Sequence, residues 1–490
     1  MVAPPNVVWL VSDHQALGNR PAMARSFAVQ SGLADHGVTF TNAYTVLPIC
    51  TPSRASMLTG LYPHNHGLTE NEGRFGGRPG LDHGDWLVHQ PFAAAGYRCG
   101  WFGKWHLHPT QSAADFGFEG FSLPGYGYPY GADAYGDYLK RWRLPPPVVE
   151  IEMPGESGRP AGERVALRDA ASWFDFEAGT ALLHGPAETH EAFFVARLAG
   201  EWLKTVAGEP FFLRVDPWGP HPPYMVAPPF RDTVANSGFA LGAGFHADLR
   251  ERPAHHRAYR DGWARTLGLD EAGWRHMTAR SLEQAALVEA ALASVLTMLE
   301  ELGLRDNTIV VFSADHGDAV GSNGGVANKG GLLVEETLRV PLVMAGPGLP
   351  AGRVSQSLAA NIDLAPTLLE LCGLAGDASD QPFDGVSLVP GLNQPASQTR
   401  QGLMLEHYGL HELIVQRAYL ADGWKLVVQD DGFIELYDLP RDPFEMNNLA
   451  RREECAGRLA ELLAGLRREM QRTGDDDNRL AGLLRSQAAG

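Results

Sequence analysis

The sequence predicts an α/β fold: a large, mostly parallel mixed sheet flanked by helices, followed by a small C-terminal antiparallel sheet plus helix. Three observations carry this expectation. Short β-rich runs at 7–11, 211–215, 308–312 and 340–344 are each followed by turn residues and then by helical patterns, the order that α/β layers produce. The stretch 281–303 spaces Leu287, Leu292, Val295, Leu299 and Leu302 at near-helical intervals and stops at Gly303, as a scaffold helix does. Beyond about residue 390 the pattern changes to the strand-like pieces GLMLEHYG, QRAYLADGWKLVVQ and FIELYDL, and then to the helix RREECAGRLAELLAGLRREMQ. The expected division is a main domain over 1–390 and a smaller subdomain over 391–490. The stretch 125–147 is rich in Tyr, Gly and Pro without a clean period. It reads as a long loop, either a pocket wall or a surface insertion.

Composition excludes more than it names. With 490 residues, 44% of them hydrophobic, the chain can bury a large core. Its formal net charge of −18 argues against nucleic acid, whose phosphates require a broad basic face. No run of apolar residues reads as long enough to span a bilayer, so no membrane partner is expected. No signal-peptide pattern precedes the first strand, and Cys50, Cys99, Cys372 and Cys455 have neither pairing nor zinc-like spacing. A reducing, cytoplasmic setting without disulfides is therefore the expectation. A homo-oligomer is left open.

Chemistry gathers where the strands end. The four runs pass into SDH, DPWGPH, SADHG and AGPG, and in an open α/β sheet ligands collect at the carboxyl ends of the strands. Asp13 and Asp315 each end a strand and can meet at one sheet edge as metal-ligating carboxylates. Cys50 opens CTPSR, where Pro52 and Ser53 suit the first turn of a helix. Its side chain then sits at a helix N-terminus beside Arg54, in a positive field that activates a nucleophile. A buried structural cysteine is the plain alternative. His64 and His66, in YPHNHG, read as a loop detail rather than a metal site.

CTPSRASMLTG resembles the signature of the type I, formylglycine-dependent sulfatases of the alkaline phosphatase superfamily. The resemblance extends through VTFTNAYT, GYRCGWFGKWHL, PFFLRVDPWGPHPPY, TIVVFSADHGD, KGGLLVEETLRVPLV, NIDLAPTLLELCG and ELYDLPRDPFEMNNLA, so it covers most of the chain. It implies an alkaline phosphatase-like catalytic domain over 1–390 and hydrolysis of a sulfate monoester. Cys50 is then oxidised after translation to formylglycine by a formylglycine-generating enzyme. One hydroxyl of the aldehyde hydrate, ionised by a divalent metal, attacks sulfur, and the other loses its proton to expel sulfate.

By the same resemblance, Asp13, His14, Cys50, Asp315 and His316 surround the metal, and Arg54 orients the hydrate. Lys104 and His106, in GKWH, contact sulfate and remove the proton. His221 and Lys329 serve the leaving group. Asn71 is either a substrate contact or a turn residue. The family usually carries a second Asp where His14 stands. Oxygen-only ligation favours Ca²⁺, whereas two imidazoles shift the preference towards Mn²⁺ or Zn²⁺, and His14 is either a ligand or an orienting neighbour. The expected substrate is a small sulfated sugar, aryl sulfate or alkyl sulfate. A phosphonate monoester or phosphodiester handled by the same machinery is the alternative, and a silent binding protein for a sulfated ligand is a third reading.

Overall fold

The structure is a computed structural model that describes residues 4–15, 27–155, 158–173, 178–234, 240–378, 381–393, 399–410, 412–477 and 480. Among these residues the strands in chain order are β1 (Asn6–Ser12), β2 (Gly37–Tyr44), β3 (Arg98–Lys104), β4 (Glu119–Leu123), β5 (Val148–Pro154), β6 (Arg164–Ala166), β7 (Ala178–His184), β8 (Phe211–Asp216), β9 (Tyr224–Val226), β10 (Thr308–Ala314), β11 (Leu342–Ala345), β12 (Arg353–Ala360), β13 (Leu403–His407), β14 (Gln416–Ala421), β15 (Trp424–Gln429) and β16 (Ile434–Asp438). The main sheet has the order β12-β2-β11-β10-β1-β8-β3-β4. Only β11 runs against its neighbours, so the sheet is mixed and mostly parallel, as expected.

Strand β1 shows why the sheet is buried on both faces. Val8 and Leu10 point to one side and Val7, Trp9 and Val11 to the other, the two-residue alternation of a pleated strand. The first side is covered by the helices Glu191–Val206 and Glu271–Glu301, which place Phe194, Leu203, Leu287 and Leu292 in the core. The second is covered by Cys50–Thr59 and Leu364–Leu371, through residues such as Met57, Leu58 and Leu368. Near-continuous Val, Ile, Phe and Leu runs are what a sheet covered on both faces requires.

Three readings are corrected. The scaffold helix is longer than 281–303 suggested: it begins at Glu271, where the Asp270 side chain accepts the Gly273 N–H at 2.9 Å. It is also apolar and long enough by composition to cross a bilayer, contrary to expectation. Here 61% of its most apolar stretch is buried inside the protein, as befits a core helix. The stretch 125–147 is not one loop. It contains the helix Asp133–Trp142, whose inward face is Tyr135, Tyr138 and Leu139, so the tyrosines that hid the period are the residues that pack. A further sheet, β6-β5-β7-β9, was not foreseen.

The C-terminal strands β13 to β16 form a four-stranded, wholly antiparallel sheet against the helix Ala456–Thr473. His64, in the short helix Pro63–His66, ties this unit to the segment that follows the helix Cys50–Thr59. Its Nδ1 faces Glu406 Oε1 at 2.5 Å and its Nε2 faces the Thr473 carbonyl at 3.2 Å. Two acceptors on one ring call for the doubly protonated imidazolium. Burial opposes that charge, but the Glu406 carboxylate outweighs it and lifts the His64 pKa to about 9. A folded pKa above the ordinary histidine value stabilises the fold fully below pH ~6.5, and the contribution fades as pH rises through the folded pKa. His64→Gln is therefore expected to lower stability by up to ~3 kcal/mol at pH 6 and by much less at pH 10, read by urea denaturation. A loss independent of pH would mean that His64 is neutral.

Candidate active site

Register brings the site together. β1 lies between β8 and β10, with Ser12 opposite Ala314, so Asp13 and Asp315 leave neighbouring strand ends side by side. Asp315 Oδ1 accepts the backbone N–H of His14 at 3.0 Å and of His316 at 2.9 Å, which fixes its carboxylate. β3 delivers Lys104, whose ammonium pairs with Asp13 Oδ2 and stands 4.1 Å from the Tyr126 ring centre. His14 and His106, just past the ends of β1 and β3, adopt φ of 70° and 53°. Left-handed backbone is unusual for a residue with a side chain and marks places where local comfort yields to side-chain placement.

Cys50 is the first residue of its helix, after extended Ile49, and is 1% exposed. Ser53 anchors that first turn by donating to the Asp315 carbonyl at 2.5 Å and accepting from Asn361 Nδ2 at 3.0 Å. Cys50 Sγ lies 3.1 Å from His316 Nε2 and 4.0 Å from Asp13 Oδ1. Burial pushes its thiol up, but Lys104, Lys329 and His316 outweigh burial and hold the pKa well below the ordinary thiol range.

Arg54, one helical turn on, is the electrostatic hub. Its Nε donates to Asp315 Oδ2 at 3.0 Å, and its NH1 donates to Asp216 Oδ2 at 2.9 Å and to the Lys104 carbonyl at 3.1 Å. Its NH2 lies 3.5 Å from Asp13 Oδ2. All four charged side chains are fully buried.

Asp13, Cys50, Asp315 and His316 each turn one donor atom inward, and these atoms all lie within 4.8 Å of one another. The set fits a divalent cation. Burial, and after it the Asp315 charge, pushes the Asp13 pKa up to about 6 despite Lys104 and Arg54, so a cation bound there would favour the ionised carboxylate. His14 stands outside this set: its Nδ1 faces Lys329 Nζ at 3.4 Å and its Nε2 faces Asp318 Oδ2 at 3.5 Å.

Above Cys50 opens a cavity of about 560 Å³ whose lining includes Asn71, His106, His221 and Lys329. His221 Nε2 lies 3.4 Å from Lys329 Nζ, and its Nδ1 faces the Pro222 carbonyl at 2.8 Å. Burial and the adjacent Lys329 ammonium hold the His221 pKa well below its usual value. His106 is lowered to about 4, chiefly by burial. Asn71 Oδ1 accepts the Thr51 N–H at 3.0 Å, so one end of this side chain caps the helix that Cys50 opens while the residue lines the cavity.

The structure thus collects every candidate residue in one place. The reading of the residues overlooked several partners: Asp216, which receives Arg54, and Arg214, which donates to Asp216 at 3.0 Å between Trp9 and Trp101. Asp318, which accepts the Tyr224 hydroxyl, and Tyr126, beneath Lys104, were also missed. Asp216 and Asp318 stand inside DPWGPH and beside SADHG, so the rule that strand ends carry function already pointed at them.

Residues 5–374 match the family model described as Sulfatase, and 328–473 match the one described as N-sulphoglucosamine sulphohydrolase, C-terminal. The chain is 26% identical to the uncharacterized sulfatase YidJ of Escherichia coli, over 91% of this chain and 83% of that one. It is 24% identical to the N-acetylglucosamine-6-sulfatase of Capra hircus, over 91% and 80%. Among solved structures it is similar to BT4656 in complex with its substrate D-glucosamine-2-N,6-O-disulfate, with a TM-score of 0.72 and 20% identity over 97% of this chain and 99% of that one. It is also similar to a phosphonate monoester hydrolase from Silicibacter pomeroyi, with a TM-score of 0.74 and 22% identity over 96% of each chain. A family match over most of the chain, on a fold that assembles that family's motif residues around one cavity, has one meaning: the chain belongs to the sulfatase family of the alkaline phosphatase superfamily.

Proposed function

We propose that this sulfatase-family enzyme hydrolyses the sulfate monoester of a sugar-sized alcohol, with residue 50 as nucleophile and Asp13, Asp315 and His316 as ligands of one divalent metal. The observation that carries the reading is the position of Cys50, at a helix N-terminus and the floor of the cavity, within reach of the inward donor atoms of those three residues. Formylglycine at position 50 would supply a geminal hydroxyl for attack on sulfur, and the bound metal would acidify it and neutralise the ester's charge.

The remaining roles belong to the chain's own groups. Lys104 and Lys329 bring positive charge to the sulfate oxygens, and Arg54 holds the carboxylates in place. Neutral His106 stands near residue 50 and can take a proton from its oxygen. His221, beside Lys329, serves the leaving oxygen. His14, with its ring between Lys329 and Asp318, orients its neighbours rather than binding the ion. Relatives that carry N-acetylglucosamine-6-sulfatase names, and a similar fold solved with a glucosamine disulfate, support a sugar as the alcohol.

One imidazole among carboxylates lies between an oxygen cage suited to Ca²⁺ and a nitrogen-rich site suited to Mn²⁺ or Zn²⁺. Exhaustive chelation is expected to remove activity on 4-nitrophenyl sulfate by more than ~100-fold, with recovery on adding back the ion found by metal analysis. Bound Ca²⁺ would assign the ligation to oxygen and leave His316 as a hydrogen-bonding neighbour, whereas Mn²⁺ or Zn²⁺ would make it a ligand. Full activity in chelator would overturn the metal assignment.

The likeness to the phosphonate monoester hydrolase supports a second reading, because both reacting centres are tetrahedral. Faster cleavage of a phenyl phosphonate ester than of an aryl sulfate would put it first.

A further inference from the structure

The lining of the cavity above Cys50 also includes two histidines that the chemistry above does not use: His255, from the helix Ala254–Leu267, and His407, the last residue of β13. His407 Nδ1 faces the Ile414 carbonyl at 3.4 Å and the fixed N–H of Gly409 at 3.0 Å; the shorter contact makes Nδ1 the acceptor, so the neutral ring carries its proton on Nε2. That N–H is buried and has no acceptor. His255 is 8% exposed and stands beside the Gly331 backbone, yet neither ring nitrogen is in a well-formed hydrogen bond. Buried polar atoms are almost always paired, so a donor and a potential acceptor left open beside a cavity mark a place where something binds. Burial keeps both rings neutral, with His407 lowered to about 3 and His255 to about 4.

A hydroxyl is the group that uses one donor and one acceptor. We propose that His407 and His255 form a subsite that reads a hydroxyl on the alcohol half of the substrate, with His407 Nε2–H donating to its oxygen and a His255 ring nitrogen accepting its hydrogen. Glu70, Glu72 and Glu412 belong to the same lining, where Arg74 pairs with Glu72 at 3.1 Å and leaves two carboxylates to disfavour a second anionic group, while Trp173 and Trp263 add aromatic surface of the kind that suits sugar rings. The substrate class is therefore a polyol or sugar with one sulfate and free hydroxyls. This rests on the sulfate ester reading above.

The test compares kcat/KM for a hexose 6-monosulfate, the matching hexose disulfate and 4-nitrophenyl sulfate, which has no hydroxyl. In His407→Phe and His255→Phe the ratio of hexose monosulfate to aryl sulfate efficiency is expected to fall at least ~10-fold, mostly through KM, with partial recovery in His255→Gln. Should a Phe variant not fold, the unmodified enzyme with a series of deoxyhexose sulfates gives the same reading: one missing hydroxyl should cost a similar factor. An unchanged ratio, equal losses on both esters, no penalty for any deoxy compound or a preference for the disulfate would overturn the subsite and leave the sulfate reading standing. No sulfate release from either ester would overturn both.

Discussion

Replacing Cys50 with alanine is expected to abolish sulfate ester hydrolysis, with a fall in kcat/KM of at least ~10⁴-fold, while the protein stays folded. The asymmetry follows from where the residue sits. Cys50 is the first residue of its helix and its side chain is small, so alanine, a good helix former, gives up one buried sulfur at a cost of ~1 kcal/mol. The reaction, by contrast, loses the donor atom that stands with those of Asp13, Asp315 and His316 at the cavity floor. The measurement pairs initial rates on an aryl sulfate with thermal unfolding of the same sample. Peptide mass spectrometry around residue 50 of the parent enzyme shows whether the aldehyde has formed. Turnover retained in Cys50→Ala would overturn the mechanism, and an active parent enzyme carrying only the thiol would remove formylglycine from it.

The parts of this site visible in the sequence are those that depend on local order. A hydrophobic run followed by a carboxylate places Asp13 and Asp315 at strand ends whatever the details of the sheet, and Pro52 and Ser53 announce the helix that Cys50 opens. Groups that act across the fold gave less of a sign: the strand-end rule marks Asp216 as a candidate but not its partner. Asp216 matters because β8 lies beside β1 and points it at Arg54, and nothing in the local pattern of DPW says which neighbour it will have. His407 and His255 come from a C-terminal strand and a helix some 150 residues apart, and only the folded chain puts them on one cavity. The helix Asp133–Trp142 was hidden for a different reason: its buried face is tyrosine, which a hydropathy period undercounts. The sheet β6-β5-β7-β9 rests on pairing between distant segments and on the three-residue strands β6 and β9, too short to show a period.

Arg54→Leu is expected to destabilise the protein by about 3–5 kcal/mol, a large share of the stability of a typical domain. Leucine fills part of the space but leaves Asp13, Asp216 and Asp315 buried together, with Lys104 and Arg214 as the remaining cations in contact. Lysine keeps the charge but not the planar fork that reaches three carboxylates and the Lys104 carbonyl at once, so Arg54→Lys should lose an intermediate amount. The same electrostatics sets a condition on the result. A divalent cation among Asp13, Asp315 and His316 supplies part of the positive charge that Arg54→Leu removes, so the loss should be greater in chelator than with saturating metal. Unfolding midpoints in urea, measured for both variants with and without the ion, give the comparison. If the loss is the same in both conditions, Arg54 and the metal do not share the carboxylates. If Arg54→Leu is as stable as the parent enzyme, those carboxylates are protonated in the fold, and the charge network described here is wrong.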